Sequence, residues 1–244
     1  MTTDYDPIAE QYQRAKQQPW RAYVECYTLL ELVGDLDGET VLDLACGEGF
    51  YTRLLKRQGA SRTVGIDLSQ RMIDLAREQE IVQRLGIEYL VGDAKALHVP
   101  ETFDVVAAAY LLNYARDREE LAAMCQGVAA RTAPGGRFVS VNQNPDRDFT
   151  TAPSYRPYGF EARAAGPLRE GQPVTWTFHL TEGPLEIENY WLDRAIHEEA
   201  LLAAGFCEVR WHQPRLDPRA QPADVAYWDV LLKQGPLIYL ECLK

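Results

Sequence analysis

The residues best placed to do chemistry lie in the stretch VLDLACGEGFYT, residues 41–52. An apolar, β-prone run carries a carboxylate, Asp43, near its end and passes into a turn with Gly47 and Gly49. Such a turn can hold a nucleotide phosphate, a dinucleotide, or a ligand without phosphate. The phosphate-binding pattern G-x-x-x-x-G-K-[ST] needs a lysine that this turn lacks, and the dinucleotide fingerprint needs a third glycine where Thr52 stands. Asp43 would repel a pyrophosphate but suits a ligand carrying an ammonium group. Gly47 and Gly49, having no Cβ, let the backbone approach a ligand closely. Asp67 lies 20 residues after Gly47 and ends the next apolar run. An acid there accepts hydrogen bonds from ribose hydroxyls. The ligand so specified has an amine and a ribose but no phosphate, a description that S-adenosylmethionine meets.

These residues need a frame, and the surrounding pattern provides one. Strands are expected at Thr40–Ala45, Thr63–Ile66, Ile87–Val91, Phe103–Ala108 and Arg137–Val141. Between them, helices are expected from Phe50 through Arg57 to a stop at Gly59, from an Ser69 N-cap to about Arg84, and from an Asp117 cap to about Arg131. Pro134-Gly135-Gly136 reads as a turn. The alternation implies a parallel sheet with helices on both faces and ligands at the carboxyl ends of the strands. Upstream, Trp20–Leu32 has an amphipathic helical stripe. Downstream, 143–175 is rich in Pro, Gly and Arg, and WTFHLT (176–181) and LEIENYW (185–191) flank a Glu-Gly-Pro hairpin turn. Glu198–Ala204 reads as a helix stopped by Gly205, and Cys207–Gln213 and Leu237–Leu243 as final strands.

The motifs resemble those of the class I S-adenosylmethionine-dependent methyltransferases. D-L-A-C-G-E-G is similar to motif I and V-G-I-D-L-S (64–69) to motif II. G-D-A (92–94) resembles the adenine-contacting motif, F-D-V-V-A-A-A-Y (103–110) motif IV, and P-G-G-R-F (134–138) the segment before strand five. The resemblance implies an α/β fold: a Rossmann-like seven-stranded methyltransferase sheet with helices on both faces and the last strand antiparallel. It implies one domain over 1–244, with 1–35 as an amino-terminal helical lid and 143–192 as a substrate-covering insert with a β-hairpin. The cofactor implied is S-adenosyl-L-methionine, giving S-adenosyl-L-homocysteine.

Roles carry over by position. Asp43 is expected to fix the amino group through backbone and water, with Ala45 and Gly47 along the methionyl part and Gly49 among the cofactor-binding residues of the turn. Asp67 is expected at the ribose, Leu68 and Met72 over the adenine, Asp93 and Ala94 at its edge, and Ala109 at the end of strand four. YDPIAEQYQRAKQQPWRAY (5–23) followed by CGEGFYTR resembles the toxoflavin-type N-methyltransferases, in which the amino-terminal segment folds over the cofactor. Tyr5, Tyr12, Trp20 and Arg21 are then lid residues, with Arg21 pairing with the methionyl carboxylate. Trp20, Tyr110, Tyr155 and Trp176 are expected around the acceptor, and Tyr110, Asn113, Asn142 and His179 as catalytic or ring-orienting groups. His179 invites assignment as a base, although a lone histidine in a strand is more often a hydrogen-bonded or surface residue. The acceptor class implied is a flat azapteridine-like heterocycle methylated on nitrogen. O-methylation of another metabolite, an NAD-dependent oxidoreductase and a non-catalytic cofactor-binding module remain as alternatives.

Composition bounds the partners. The chain has 244 residues with 36 acids against 25 bases, a formal net charge of −11, which disfavours nucleic acid and anionic membranes. The start MTTDYDP lacks the basic region of a secretory signal, and no apolar run approaches a membrane span. Five scattered cysteines and four histidines (His98, His179, His197, His212) show no metal-ligand spacing. Reduced thiols in a cytoplasmic protein with a small-molecule substrate and no metal are the expectation.

Overall fold

The structure, a computed structural model, describes residues 4–97 and 99–244, so the first three residues of the acidic start and His98 lie outside the described residues. A short turn at Asp6–Ile8 leads into α1 (Ala9–Ala15), and a π-helical stretch at Arg21–Cys26 runs into α2 (Tyr27–Val33). The main alternation follows: β1 (Thr40–Leu44), α3 (Phe50–Arg57), β2 (Arg62–Asp67), α4 (Gln70–Gln83), β3 (Glu88–Val91), β4 (Phe103–Ala109), α5 (Arg118–Arg131) and β5 (Thr132–Gln143). Then come β6 (Phe160–Ala164), β7 (Gln172–Leu180), β8 (Gly183–Trp191), α6 (Arg194–Ala203), β9 (Glu208–His212), α7 (Val225–Gln234) and β10 (Leu237–Leu243).

Seven strands form one sheet in the order β3-β2-β1-β4-β5-β10-β9. β1 pairs parallel with β2 and β4, β2 with β3, and β4 with β5, whereas β10 runs antiparallel to both β5 and β9. The expected Rossmann-like sheet with an antiparallel last strand is therefore present. Side chains alternate across it. Val41, Val105, Val139 and Val141 face one buried layer, made with α2, α7 and the small sheet β6–β7–β8. Leu42, Leu44, Val106 and Phe138 face the other, made with α5 and α6. N-caps anchor the helices that start on the active edge: Ser69 Oγ accepts from Met72 N–H at 3.1 Å, and Asp117 accepts from Glu120 N–H at 2.9 Å.

Three expectations about elements are corrected. Pro134-Gly135-Gly136 lies inside β5, where Gly135 takes φ +78° and the pairing with β4 shifts register, so it is an irregularity within the strand. The hairpin is a three-stranded sheet, because Phe160–Ala164 adds an outer strand to β7. Helix α7, with Trp228 and Leu231 buried, fills a stretch for which the sequence pattern suggested no element. No helix among the described residues is long and apolar enough to cross a membrane.

Candidate functional site

The parallel pairing brings the carboxyl ends of β1, β2, β3 and β4 to one edge. The turn after β1 bends sharply, with positive φ at Ala45 (55°), Gly47 (56°) and Gly49 (81°). Asp67, at the end of β2, ties this turn down: Oδ2 accepts Gly47 N–H at 2.8 Å and Oδ1 accepts Ser69 N–H at 2.9 Å. Each carboxylate oxygen keeps a lone pair for another donor. Burial raises the Asp67 carboxyl above its usual range, opposed by those two backbone N–H groups. The main chain of Asp67 also accepts from Gly92 N–H at 2.9 Å, which holds the Gly92–Asp93–Ala94 loop beside it.

A cavity of about 150 Å³ opens at this edge. Ala45, Gly47, Asp67, Leu68, Met72, Asp93, Ala94, Ala109 and Tyr110 line it from the sheet side, and Tyr5 and Tyr12 from the amino-terminal segment. A Cβ on Gly47 would meet nothing closer than Met72 Sδ at 4.0 Å, so the backbone there is bare toward the cavity. Leu44, Ile66, Leu111 and Met124 add apolar wall. The Tyr5 and Tyr114 hydroxyls are hydrogen-bonded to each other, joining the amino-terminal segment to the loop after β4.

A smaller cleft adjoins it, lined by Tyr12, Arg21, Tyr110, Tyr114, Trp176, Phe178, Ile187 and Asn189. Tyr12, Tyr110 and Tyr114 belong to both cavities. The small sheet supplies the aromatic wall: Trp176 stacks on Phe160 with centroids 5.6 Å apart and meets Tyr110 edge-on at 6.2 Å. Tyr110 is held at φ +68°, costly for a residue with a bulky side chain.

Several expected site residues lie elsewhere. Arg21 is only 1 % exposed and places Nη1 at 2.9 Å from both oxygens of Glu25, with Nε donating to Ala15 O at 3.0 Å. Its charge is already paired, and it borders the aromatic cleft rather than the main cavity. Asp43 stands behind the turn, accepting from Thr52 Oγ1 at 2.6 Å. Burial pushes its carboxyl up to about 7, against the Thr52 hydrogen bond and the attraction of Lys16. Gly49 faces protein, since a Cβ there would come within 2.4 Å of Tyr89 Oη. Trp20 and Tyr155 are core residues packed on Phe160 at 4.7 and 5.3 Å, and the Tyr155 hydroxyl donates to Gln234 O. Asn113 Oδ1 accepts Gln143 N–H at 3.0 Å, and Asn142 Nδ2 donates to Ser140 Oγ at 3.0 Å. Asn113 ties the turn after β4 to the end of β5, Asn142 bonds within β5, and neither lines either cavity. Strand alternation turns Trp176 and Phe178 inward and His179 to the opposite face, so His179 also lines neither.

Glu25 is the principal residue that sequence reasoning missed. It is fully buried and accepts from Arg21 and from the hydroxyls of Tyr51 and Tyr110. The only sequence sign was the Arg21–Glu25 spacing of four, which on most helices is a surface pair. Tyr114, which follows the fourth strand on the side expected to face the acceptor, is shared by both cavities.

A family model described as a methyltransferase domain matches residues 41–136. Cypemycin N-terminal methyltransferase from a Streptomyces species is 31% identical over 183 residues, covering 72% of this chain and 70% of that protein. N-demethylindolmycin N-methyltransferase from Streptomyces griseus is 27% identical over 188 residues, covering 75% and 76% respectively. Among solved structures, an S-adenosylmethionine-dependent methyltransferase from Mesorhizobium loti superposes with a TM-score of 0.62 at 22% identity, covering 94% of this chain and 98% of that one.

Proposed function

Because the chain belongs to the S-adenosylmethionine-dependent methyltransferases, we propose that it methylates a ring nitrogen of a small, flat, azapteridine-like heterocycle. The single observation that carries the assignment of two adjoining sites is the sharing of Tyr12, Tyr110 and Tyr114 by the main cavity and the aromatic cleft. One compartment suits the cofactor and the next suits a planar acceptor, with a common wall between them.

The residues of the main cavity fit the cofactor. Asp67 has lone pairs for the ribose hydroxyls, and the bare backbone at Gly47 admits the methionyl part. Leu68 and Met72 offer apolar cover to the adenine, with Asp93 and Ala94 at its edge. Tyr5 and Tyr12 close the opposite side, as expected of an amino-terminal lid. Asp43 stands behind the turn, and its carboxyl, pushed up to about 7 by burial, contributes negative charge there only as it ionises. S-adenosylmethionine supplies a methyl group already activated on a sulfonium. What the protein must supply is orientation and exclusion of water, which account for much of the acceleration in such transfers.

The lining of the cleft offers groups that suit a flat polar ring, and its free space of about 10 Å³ would have to widen to admit one. Trp176 and Phe178 present apolar faces, while Asn189 and the Tyr114 hydroxyl offer hydrogen bonds. Proton loss from a ring nitrogen to water needs no strong base, and among the described residues no histidine lines either cavity. Both curated relatives above carry N-methyltransferase or N-terminal methyltransferase names, which favours nitrogen over oxygen as the acceptor. Calorimetric titration with S-adenosylhomocysteine and with NAD tests the cofactor. Binding of NAD without S-adenosylhomocysteine would overturn this reading.

A further inference from the structure

Strand β8 turns Leu185, Ile187 and Asn189 to its buried face, with Asn189 opposite Val174 of β7. An amide, 2 % exposed, stands there where the alternation calls for an apolar side chain. Its Nδ2 donates to Glu188 O at 3.3 Å, and the amide is hydrogen-bonded to the Tyr114 hydroxyl. Its Oδ1 has no partner among the described residues. Arg21, equally buried, is also only partly used. Nε donates to Ala15 O and Nη1 to Glu25, whereas Nη2 donates to nothing among the described residues. The rings of Trp20, at 4.5 Å, and Phe178, at 5.2 Å, hold the guanidinium in place. Leaving a buried donor and a buried acceptor unbonded is costly.

Both side chains line the aromatic cleft, and neither lines the main cavity. The free space of the cleft, about 10 Å³, is small enough that one ring reaches both. The cleft thus offers one cationic N–H donor and one carbonyl acceptor beside the faces of Trp176 and Phe178. Such a pair is complementary to a ring edge on which a C=O, which accepts, adjoins an N–H, which donates. We propose that Arg21 and Asn189 are specificity-determining residues that read a lactam edge of the acceptor, Arg21 Nη2 donating to its carbonyl and Asn189 Oδ1 accepting from its N–H. This rests on the acceptor reading above and narrows it to oxo-substituted nitrogen heterocycles. The edge is not the reacting one: the methylated nitrogen faces the wall of Tyr12, Tyr110 and Tyr114, on the side of the cofactor compartment. A site built to bond such an edge rejects a ring that lacks it, because its own buried groups then stay unbonded. The acceptor enters as the cleft widens, and the pair sets which ring edge is taken.

The test is calorimetry on protein saturated with S-adenosylhomocysteine, with three flat bicyclic probes of nearly one shape. Isocarbostyril carries adjacent C=O and N–H, isocoumarin carries the C=O with a ring oxygen in place of N–H, and naphthalene carries neither. The wild type is expected to bind isocarbostyril at least about 3-fold tighter than isocoumarin, and isocoumarin about 10-fold tighter than naphthalene, the scales of a neutral and a charged hydrogen bond. Asn189→Leu should abolish the first difference and keep the second. Arg21→Lys, whose single ammonium still pairs with Glu25, should abolish the second and keep the first. That crossed pattern separates recognition from a structural role, which would weaken all three probes alike. The wild-type order is read without any variant. The proposal is overturned if the wild type does not rank the probes in this order, or if either variant weakens all three equally. Methyl transfer to oxo-free nitrogen heterocycles but not to lactams overturns it and leaves the acceptor reading standing. Transfer to no nitrogen heterocycle overturns both.

Discussion

Gly47 donates its backbone N–H to Oδ2 of Asp67 at 2.8 Å, so the glycine turn after β1 and the acid that ends β2 form one hydrogen-bonded unit. The acid thus shapes the turn and also faces the cavity. Asp67→Ala is expected to weaken S-adenosylhomocysteine binding by about 1.5–3 kcal/mol, the scale for losing a charged hydrogen bond. Asp67→Asn, which keeps one acceptor oxygen, should lose less. Calorimetry on both variants checks this, and unchanged affinity in Asp67→Ala would contradict the assignment of the ribose site.

Tyr110 stands on the wall between the two compartments with its hydroxyl on Glu25. Tyr110→Phe keeps the ring and removes one donor from a carboxylate that retains Arg21 and Tyr51. Stability should fall by about 0.5–1.5 kcal/mol, and kcat by less than about 10-fold, below the range for removing a general acid or base. Thermal unfolding and steady-state rates measure both. A loss of a hundredfold or more, with a changed pH profile, would show that the phenol takes part in proton transfer.

His179→Gln should leave kcat and KM within about 2-fold and the pH–rate profile unaltered, well short of the 10²–10⁴ typical of a removed base. The reason is placement, since His179 is on the face of β7 opposite Trp176 and Phe178. A thousandfold drop, with a limb near pH ~6.5 disappearing, would reinstate it as a base and favour O-methylation.

Asp43 makes a pH prediction. Its folded-state pKa of about 7 lies above the ordinary carboxylate range, because burial disfavours the charged form. Between about pH 4 and pH 7 the folded chain therefore holds a proton that the unfolded chain has lost. Stability from this group is fully present below that window and falls as pH rises through it. Asp43→Asn should remove this part of the slope, so its melting temperature relative to the wild type should be higher at pH 7 than at pH 4. Equal differences at the two pH values would show that the Asp43 carboxyl titrates in the fold as it does in the unfolded chain.

The sheet and the edge that carries the main cavity were legible because their signals are local. Apolar runs, an acid at a strand end and glycines at positive φ are read from a dozen residues at a time, and Ala45, Gly47, Asp67, Leu68, Met72, Asp93 and Ala94 all reach the main cavity. Gly49 shows the limit of that logic: it also sits at positive φ, but the partner that needs its missing Cβ is Tyr89, forty residues on.

The aromatic cleft was less legible because it depends on which face a strand shows. In β7, Trp176 and His179 differ by an odd number of positions, so only one can face the cleft, and sequence alone does not say which. Arg21 was misplaced for a related reason. Its partner is four residues away on the same segment, and burial of that pair follows from Tyr51, Tyr110 and Tyr239 closing over it from three distant elements.

The most direct test of the central claim is methyl transfer from S-adenosylmethionine labelled in its methyl group to a panel of azapteridine-like and other nitrogen heterocycles, with the product resolved by mass spectrometry and NMR. Label is expected on a ring nitrogen of at least one planar acceptor, with turnover reduced in Asp67→Ala. Label on oxygen, or tight S-adenosylhomocysteine binding with no transfer to any acceptor in the panel, would contradict it.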